Sequence, residues 1–441
     1  MLSTSVYSAK AKPSVLAFNK STVVVWIAIS LIVVETFSGA LRYYFDQAGL
    51  SPLMYLPKAA CVAMFIFELH SMKSSRGLWL ALLLLVISAV LAMLHGASPN
   101  NVAFTLFNFG PLLFGLTCSD HLLHRRRLFC WAVSLCLLAS LVGVLLDKFI
   151  SLPWKGYSYF VNGQQLAANT TWAADEVDRL AGFARVSNVL SIIIAVHTLY
   201  LVMFVRSKFL LFAIGMISLY GIVLTTSKAP GMAFMFTLML LLALNLHWTS
   251  RFLMIINVGI GVSLPIMSLL HDFDPNGVTN AGVLTSFYDR LVNTWPNAFN
   301  MIHDAGWSLT GTGFGLFGSS AALFPVVGAE NMIGADSSAM YLWASFGLVG
   351  IALYLMQLPM LFKLIRSPDP MSRALLAIAF CIIMISWTTD MFEVATANLF
   401  MGLAIGRALS SKLLATPALP HPREAQATDH LPDMPGASTA S

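Results

Sequence analysis

The sequence predicts an all-α polytopic membrane protein of about twelve transmembrane helices, and three observations predict it. Charged residues make up 10% of the chain and hydrophobic ones 58%, with a mean hydropathy of +0.78. A soluble domain carries about 25% charged residues. Runs of about 20 mostly apolar residues, the length that crosses the hydrocarbon of a bilayer, recur along the chain. Lys and Arg gather in every second connection between those runs, the pattern of the positive-inside rule.

The runs lie at about 22–41, 52–71, 78–94, 101–118, 129–147, 187–205, 209–226, 231–247, 252–270, 339–362, 374–389 and 395–410. The first begins near Ser21 and is long enough to span, so it reads as a membrane helix rather than a cleaved leader. With the N-terminus inside, the cytoplasmic side receives Lys10, Lys12, Lys20, Lys73, Arg76, Arg125, Arg126, Arg127, Arg206, Lys208, Arg251, Lys363, Arg366, Arg373, Arg407, Lys412 and Arg423. These are 17 of the 25 basic residues, and the reverse orientation puts them all on the wrong side.

The organisation expected is a cytoplasmic N-terminus over 1–21, spans one to five over 22–147 and an outer loop over 148–186. Spans six to nine follow over 187–270, then a large outer loop over 271–338 and spans ten to twelve over 339–410. The tail over 411–441, rich in Pro, Ala and Asp, reads as a disordered cytoplasmic extension. Both termini are thus expected inside. The five cysteines show no ligand spacing, so neither a disulfide framework nor a metal or other cofactor is expected. Nothing in the charge pattern calls for a nucleic acid partner.

The stretch "WSLTGTGFGLFGSS", residues 307–320, looks like a phosphate-cradling loop through Gly311, Gly313, Gly315 and Gly318. No Gly-Lys-Ser/Thr follows the glycines, and the orientation places them outside, where nucleotides are scarce. They read instead as permissive backbone that shapes an outer loop, with amides still able to meet a phosphate on a lipid carrier.

Eight basic residues remain outside: Arg42, Lys58, Lys148, Lys155, Arg179, Arg185, Lys228 and Arg290. Snorkelling or local pairing accounts for Lys148 and Lys155. Lys58 lies at a depth matching Glu35 in the antiparallel first span, so a buried Glu35–Lys58 pair is expected, its role open between structure and function. Gathered in one place, Arg179, Arg185, Lys228 and Arg290 form a cationic pocket suited to a phosphate or diphosphate. The loop aromatics, Trp154, Trp172, Trp295 and Trp307 among them, fit either an interfacial belt or sugar-stacking platforms. Asp336, at the edge of the tenth span, is open between an N-cap and a catalytic group.

These residues fall into an order that resembles the O-antigen ligase and Wzy-type polysaccharide polymerase superfamily. The elements are Arg290-Leu291, Trp295, Gly311-Thr312-Gly313-Phe314-Gly315, Asp336-Ser337 and Gly347-Leu348-Val349-Gly350. Arg179 with Gly182 and Asn188, and Thr226-Ser227-Lys228, fit earlier parts of the pattern, so the resemblance covers about residues 179–350. Asp336 stands where the ligases have His, which is more like an exopolysaccharide or capsule polymerase. Lys228 stands where the family more often has Arg and lacks the bidentate fork.

The resemblance implies a GT-C-like, metal-independent glycosyltransferase at the outer face of the bacterial inner membrane. It implies polymerisation of undecaprenyl-diphosphate-linked repeat units. A chain-length regulator and a flippase of the same pathway are expected partners, with the lipid bilayer as solvent. In that reading Arg290 and Asp336 are catalytic, Arg179, Arg185, Lys228 and Arg290 hold the diphosphate, and Gly311, Gly313 and Gly315 shape the substrate loop. Two alternatives stay open. One is a ligase passing finished glycan to a lipid or protein acceptor; the other is a lipid-glycan flippase or secondary transporter, which the lack of an internal repeat disfavours.

Overall fold

The computed structural model describes residues 19–71, 76–124, 126–161, 164–167, 169, 173–174, 177–271, 273–275, 277–280, 282–328, 332 and 334–410. Lys10, Lys12, Lys73, Arg125, Lys412, Arg423 and Trp172, with the two terminal segments, lie outside the described residues.

Seven helices fill the first third of the chain: α1 Lys20–Thr36, α2 Ser38–Gln47, α3 Leu56–Ser71, α4 Arg76–Leu94, α5 Pro99–Thr117, α6 Ser119–His124 and α7 Arg126–Phe149. Two short antiparallel hairpins follow, β1 Ser158–Val161 with β2 Gln164–Ala167, and β3 Ala173–Ala174 with β4 Val177–Asp178. Four long helices come next: α8 Ser187–Val202, α9 Lys208–Leu224, α10 Lys228–Ala243 and α11 His247–Leu270. The large connection carries the short helices α12 Gly277–Asn280, α13 Thr285–Asp289, α14 Trp295–Asp304 and α15 Ser319–Leu323. The chain closes with α16 Ser338–Phe346, α17 Leu348–Leu355, α18 Gln357–Ile365, α19 Pro370–Ile385 and α20 Ala395–Leu409.

Every apolar run is helical, but the count of crossings is coarser than expected. Among the described residues five helical stretches are long and apolar enough to cross a membrane, or six if the bent pair α1–α2 is one span: Ser51–His70, Gly77–Leu94, Arg126–Phe149, His247–Leu270 and Leu348–Ile365. Helices α8, α9, α10, α19 and α20 are apolar but only 15 to 17 residues long. At 1.5 Å per residue that is about 24 Å, short of a hydrocarbon core of about 30 Å. Helix α5 has 19 residues but spends them on Asn100, Asn101, Asn108 and two prolines. Large side chains such as Phe209, Leu242 and Phe252 stay exposed around the outside of the bundle, the surface of a membrane protein.

Two expected spans are broken. The run 22–41 bends by 86° between α1 and α2. A Cβ on Gly39 would stand 2.4 Å from the Ala184 oxygen, and the Gly39 amide donates to Phe183 O at 2.9 Å. The bend is thus held by a distant segment docking on Gly39. The run 339–362 breaks at Gly347, whose φ is +61°, and its crossing length begins at Leu348. Helix α16 folds tightly against α17, because a Cβ on Gly350 would stand 1.9 Å from the Leu342 oxygen.

Helices α19 and α20 form the centre and are buried along nearly their whole length. Helix α20 crosses α5 at backbone distance through Gly115, Gly402 and Gly406, the close approach that small residues give between membrane helices. At one end of the bundle Lys20 pairs with Glu68 at 2.7 Å and Arg407 with Asp369 at 3.3 Å. The cleft described next lies at the opposite ends of these helices.

Candidate functional site

A cleft of about 450 Å3 opens where the end of α1, the start of α3, the start of α8 and the α19–α20 connection meet. Its cations are Arg42, Lys58 and Arg185; its acids are Glu35, Asp336, Asp390 and Glu393. Arg290 joins through Asp336, its Nη2 standing 3.0 Å from Asp336 Oδ2.

Arg185 is placed by a tightly tied turn. Asp147 Oδ2, at the end of α7, accepts from the amides of Ala181 and Gly182 at 2.8 and 3.0 Å. Trp154 Nε1 donates to Gly182 O at 2.8 Å, and the Arg185 amide donates to Ser38 Oγ at 3.0 Å. The guanidinium reaches β2, where its Nε donates to Ala167 O at 3.0 Å. Arg42 Nη1 donates to the Tyr159 hydroxyl on β1, and its Nε is buried with no hydrogen-bond partner among the described residues. Burial, and then the neighbouring Arg42 charge, lower the pKa of Arg185. Two guanidiniums held this close repel each other until an anion sits between or beside them.

Asp147→Asn tests that support. Asparagine keeps one oxygen for the two amides but turns an NH2 toward Lys155, which pairs with Asp147 at 3.6 Å. The variant is expected to lose about 1–2 kcal/mol, read as a lower thermal midpoint in detergent. An unchanged midpoint removes Asp147 from this role.

The second half of the site is the turn 334–338. Asp336 has φ +49°, in the left-handed region that only a few residue types tolerate. The N-cap of α16 is Ser337, so the capping alternative for Asp336 is not what the chain adopts. The turn is zipped to the α19–α20 connection: the Ser337 amide donates to Asp390 Oδ1 at 3.0 Å, and Ser338 N to Ser386 O at 2.9 Å. Trp295, fully buried, donates from Nε1 to Ala335 O at 2.8 Å. Arg290 opens a five-residue π-helical turn, Arg290–Thr294, and its Nη1 is tied to Ser286 O and Oγ. A π turn inside a helical segment is a frequent mark of functional sites. Arg290 Nε is buried with no hydrogen-bond partner among the described residues.

Asp390 and Glu393 were not singled out in the sequence. Burial, then the charges of Glu393 and Asp336, raise the pKa of Asp390 well above the usual carboxylate range. Burial also raises Glu393, whose Oε1 accepts from the Ser319 amide at 2.6 Å. Groups with such shifts in a cleft are where proton chemistry is expected.

The other expected residues fall as follows. Glu35 and Lys58 line the same cleft but do not pair within 4 Å; Lys58 Nζ reaches Asn108 Oδ1 at 3.5 Å and lies over the Phe107 ring. Arg179 and Lys228 do not line the cleft. Lys228 is exposed at the start of α10, because the α9–α10 turn sits beside the end of α7, where Thr226 and Asp147 share a different pocket. Arg42, an off-side cation that the sequence assigned no role, takes a place in the cleft instead. Trp154 and Trp295 are buried, so neither offers a sugar platform.

Gly311, Gly313 and Gly315 all have positive φ, and the loop around them is buried between α4, α5 and the α16–α17 break. Four of its amides are spent internally: Gly311 on Trp307, Thr312 on Ala344, Phe314 on Ser88 and Gly318 on Met332. A phosphate would find them already occupied. Among the described residues no three His, Cys, Asp or Glu side chains are grouped to hold a metal.

No protein-family model matches the chain, and no curated protein matches it at a significant level of similarity.

Proposed function

We propose that the chain polymerises polyprenyl-diphosphate-linked oligosaccharide repeat units, as a GT-C-like, metal-independent glycosyltransferase. The observation that carries this reading is one cleft holding Arg42 and Arg185 side by side next to the Arg290–Asp336 pair. The resemblance of residues 179–350 to the O-antigen ligase and Wzy-type polymerase superfamily supplies the substrate class. In the proposed topology the twelve helical runs cross the bacterial inner membrane with both termini cytoplasmic, the five short helices matched by a locally thinned bilayer. Support for that orientation comes from Lys20, Arg126, Arg127, Arg206 and Arg407, all at helix ends away from the cleft.

The reaction forms a bond from an acceptor hydroxyl oxygen to the anomeric carbon of the growing chain. The bond from that carbon to the diphosphate breaks, and the electron pair leaves on the diphosphate. Arg42, Arg185 and Arg290 stabilise that developing charge more in the transition state than in the ground state. Asp336, half-exposed to the cleft, accepts the hydroxyl proton, a role that typically contributes about 10²–10⁴-fold. Asp at 336, where the resembling ligases have His, favours polymerase over ligase.

Purified chain, given lipid-linked repeat units and a chelator but no nucleotide, is expected to build a ladder of products on a gel. Dependence on nucleotide, or movement of the lipid across a vesicle without extension, would sink the proposal. In deleted cells, single repeat units are expected to accumulate; long unattached polymer would favour the ligase.

A further inference from the structure

At the bundle end opposite the cleft, a second concavity of about 570 Å3 lies between the start of α7 and the α8–α9 turn. Among the described residues three arginines line it, Arg126, Arg127 and Arg206, and no carboxylate does. Trp131, 70% exposed, and Phe204 form its apolar wall. We infer that this pocket binds the headgroup of an anionic phospholipid, with a two-phosphate lipid preferred over a one-phosphate lipid.

The contrast with its neighbours argues for a ligand rather than for charges placed only to set topology. At the same bundle end Lys20 is neutralised by Glu68, and Arg407 by Asp369. Among the described residues, Arg126, Arg127 and Arg206 make no ion pair and no hydrogen bond to a protein group. These three come from two separate connections into one hollow. Three guanidiniums more than neutralise the two negative charges of two phosphodiester groups and offer the planar fork that phosphate oxygens take bidentately. The volume falls in the range of small-molecule sites, and Trp131 and Phe204 stand where acyl chains would leave a headgroup. Basic hollows between membrane helices are a known way to hold such lipids.

Native mass spectrometry of the full chain in a neutral detergent tests this, with cardiolipin, phosphatidylglycerol, phosphatidylcholine and inorganic diphosphate as probes. Cardiolipin is expected to remain bound at one copy, phosphatidylglycerol to bind at least about 5-fold more weakly, and phosphatidylcholine not to compete. The triple variant Arg126→Lys, Arg127→Lys, Arg206→Lys keeps the charges that orient the chain and removes the forks. It is expected to hold cardiolipin about 10-fold more weakly, by the loss of one or two bidentate contacts. Arg290→Ala, at the other end, is expected to leave cardiolipin binding unchanged. Equal cardiolipin retention by the wild type and by both the triple Lys and a triple Ala variant overturns the inference. Protection by inorganic diphosphate equal to that by cardiolipin overturns the lipid assignment as well. None of these outcomes depends on glycan polymerisation, so this inference and the proposed function fail separately.

Discussion

Asp390→Ala is expected to cut chain extension about 100-fold, as deeply as a 1 Å misplacement of a reacting group does, while the protein still inserts and elutes as one species. In the proposed reaction Asp390 sits behind the reacting groups and holds their geometry. Its carboxylate accepts from the Ser337 amide at 3.0 Å and from the backbone of Ala335. Those two residues flank Asp336, which is kept at φ +49°. The left-handed conformation costs about 1–2 kcal/mol per residue, so it persists only where the surroundings hold it. Without Asp390 both amides are unpaired, Asp336 is free to relax, and its 3.0 Å contact with Arg290 goes with it. Asp390→Asn keeps an oxygen for Ser337 and loses an acceptor for Ala335. It is expected to fall about 10-fold, the effect of one lost hydrogen bond at about 1.4 kcal/mol. Full-length polymer from Asp390→Ala would sink the assignment, as would normal polymer from both Asp336→Ala and Arg290→Ala.

The same carboxyl sets a pH dependence with a definite sign. Burial and the adjacent charges of Glu393 and Asp336 raise its pKa in the folded state. Between the ordinary value of 3.8 and the raised one, the folded chain binds a proton that the unfolded chain has released. Its contribution to stability is therefore complete below 3.8 and falls away as pH rises through the folded value. Glu393, also raised, adds a loss in the same direction starting from 4.5. Asp390→Asn removes one of the two titrations, so its thermal midpoint is expected to fall less steeply with pH than that of the wild type. An equal or steeper fall would contradict the raised pKa.

What the sequence made legible was the helical run and the pair of ends. Arg290 and Asp336 were matched by motif and orientation, and they meet at 3.0 Å. The bend at Phe37 was not legible, because its cause is the docking of Phe183 and Ala184 onto Gly39, a contact between segments far apart in the chain. That bend is what carries Arg42 to Tyr159 and Arg185. Asp390 and Glu393 had a signal: two acids within the "WTTDMFEVA" stretch, residues 387–395, between two apolar runs. A connection that short reads as a simple turn, and only the folded chain shows it pressed against residues 334–338. The choice of Lys228 failed for the converse reason. Its spacing fits the resembling pattern, but the turn that carries it faces the end of α7.

Gly313→Ala is expected to destabilise the fold by about 2–5 kcal/mol, the sum of left-handed strain and overpacking. Its φ is +96°, and an added Cβ would lie 2.2 Å from the Ala92 nitrogen and 2.5 Å from its Cα. Those are backbone atoms of α4, which cannot move aside as a flexible side chain would. Gly306→Ala separates the two terms. Gly306 also has positive φ, at +78°, but nothing stands within 4 Å of an added Cβ, so only the conformational cost of about 1 kcal/mol remains. The thermal midpoint in detergent should drop steeply for Gly313→Ala and slightly for Gly306→Ala. Activity should follow, because the buried loop carries Ser319, whose amide holds Glu393 in the cleft. A Gly313→Ala protein as stable as Gly306→Ala would show that the loop is not wedged against α4.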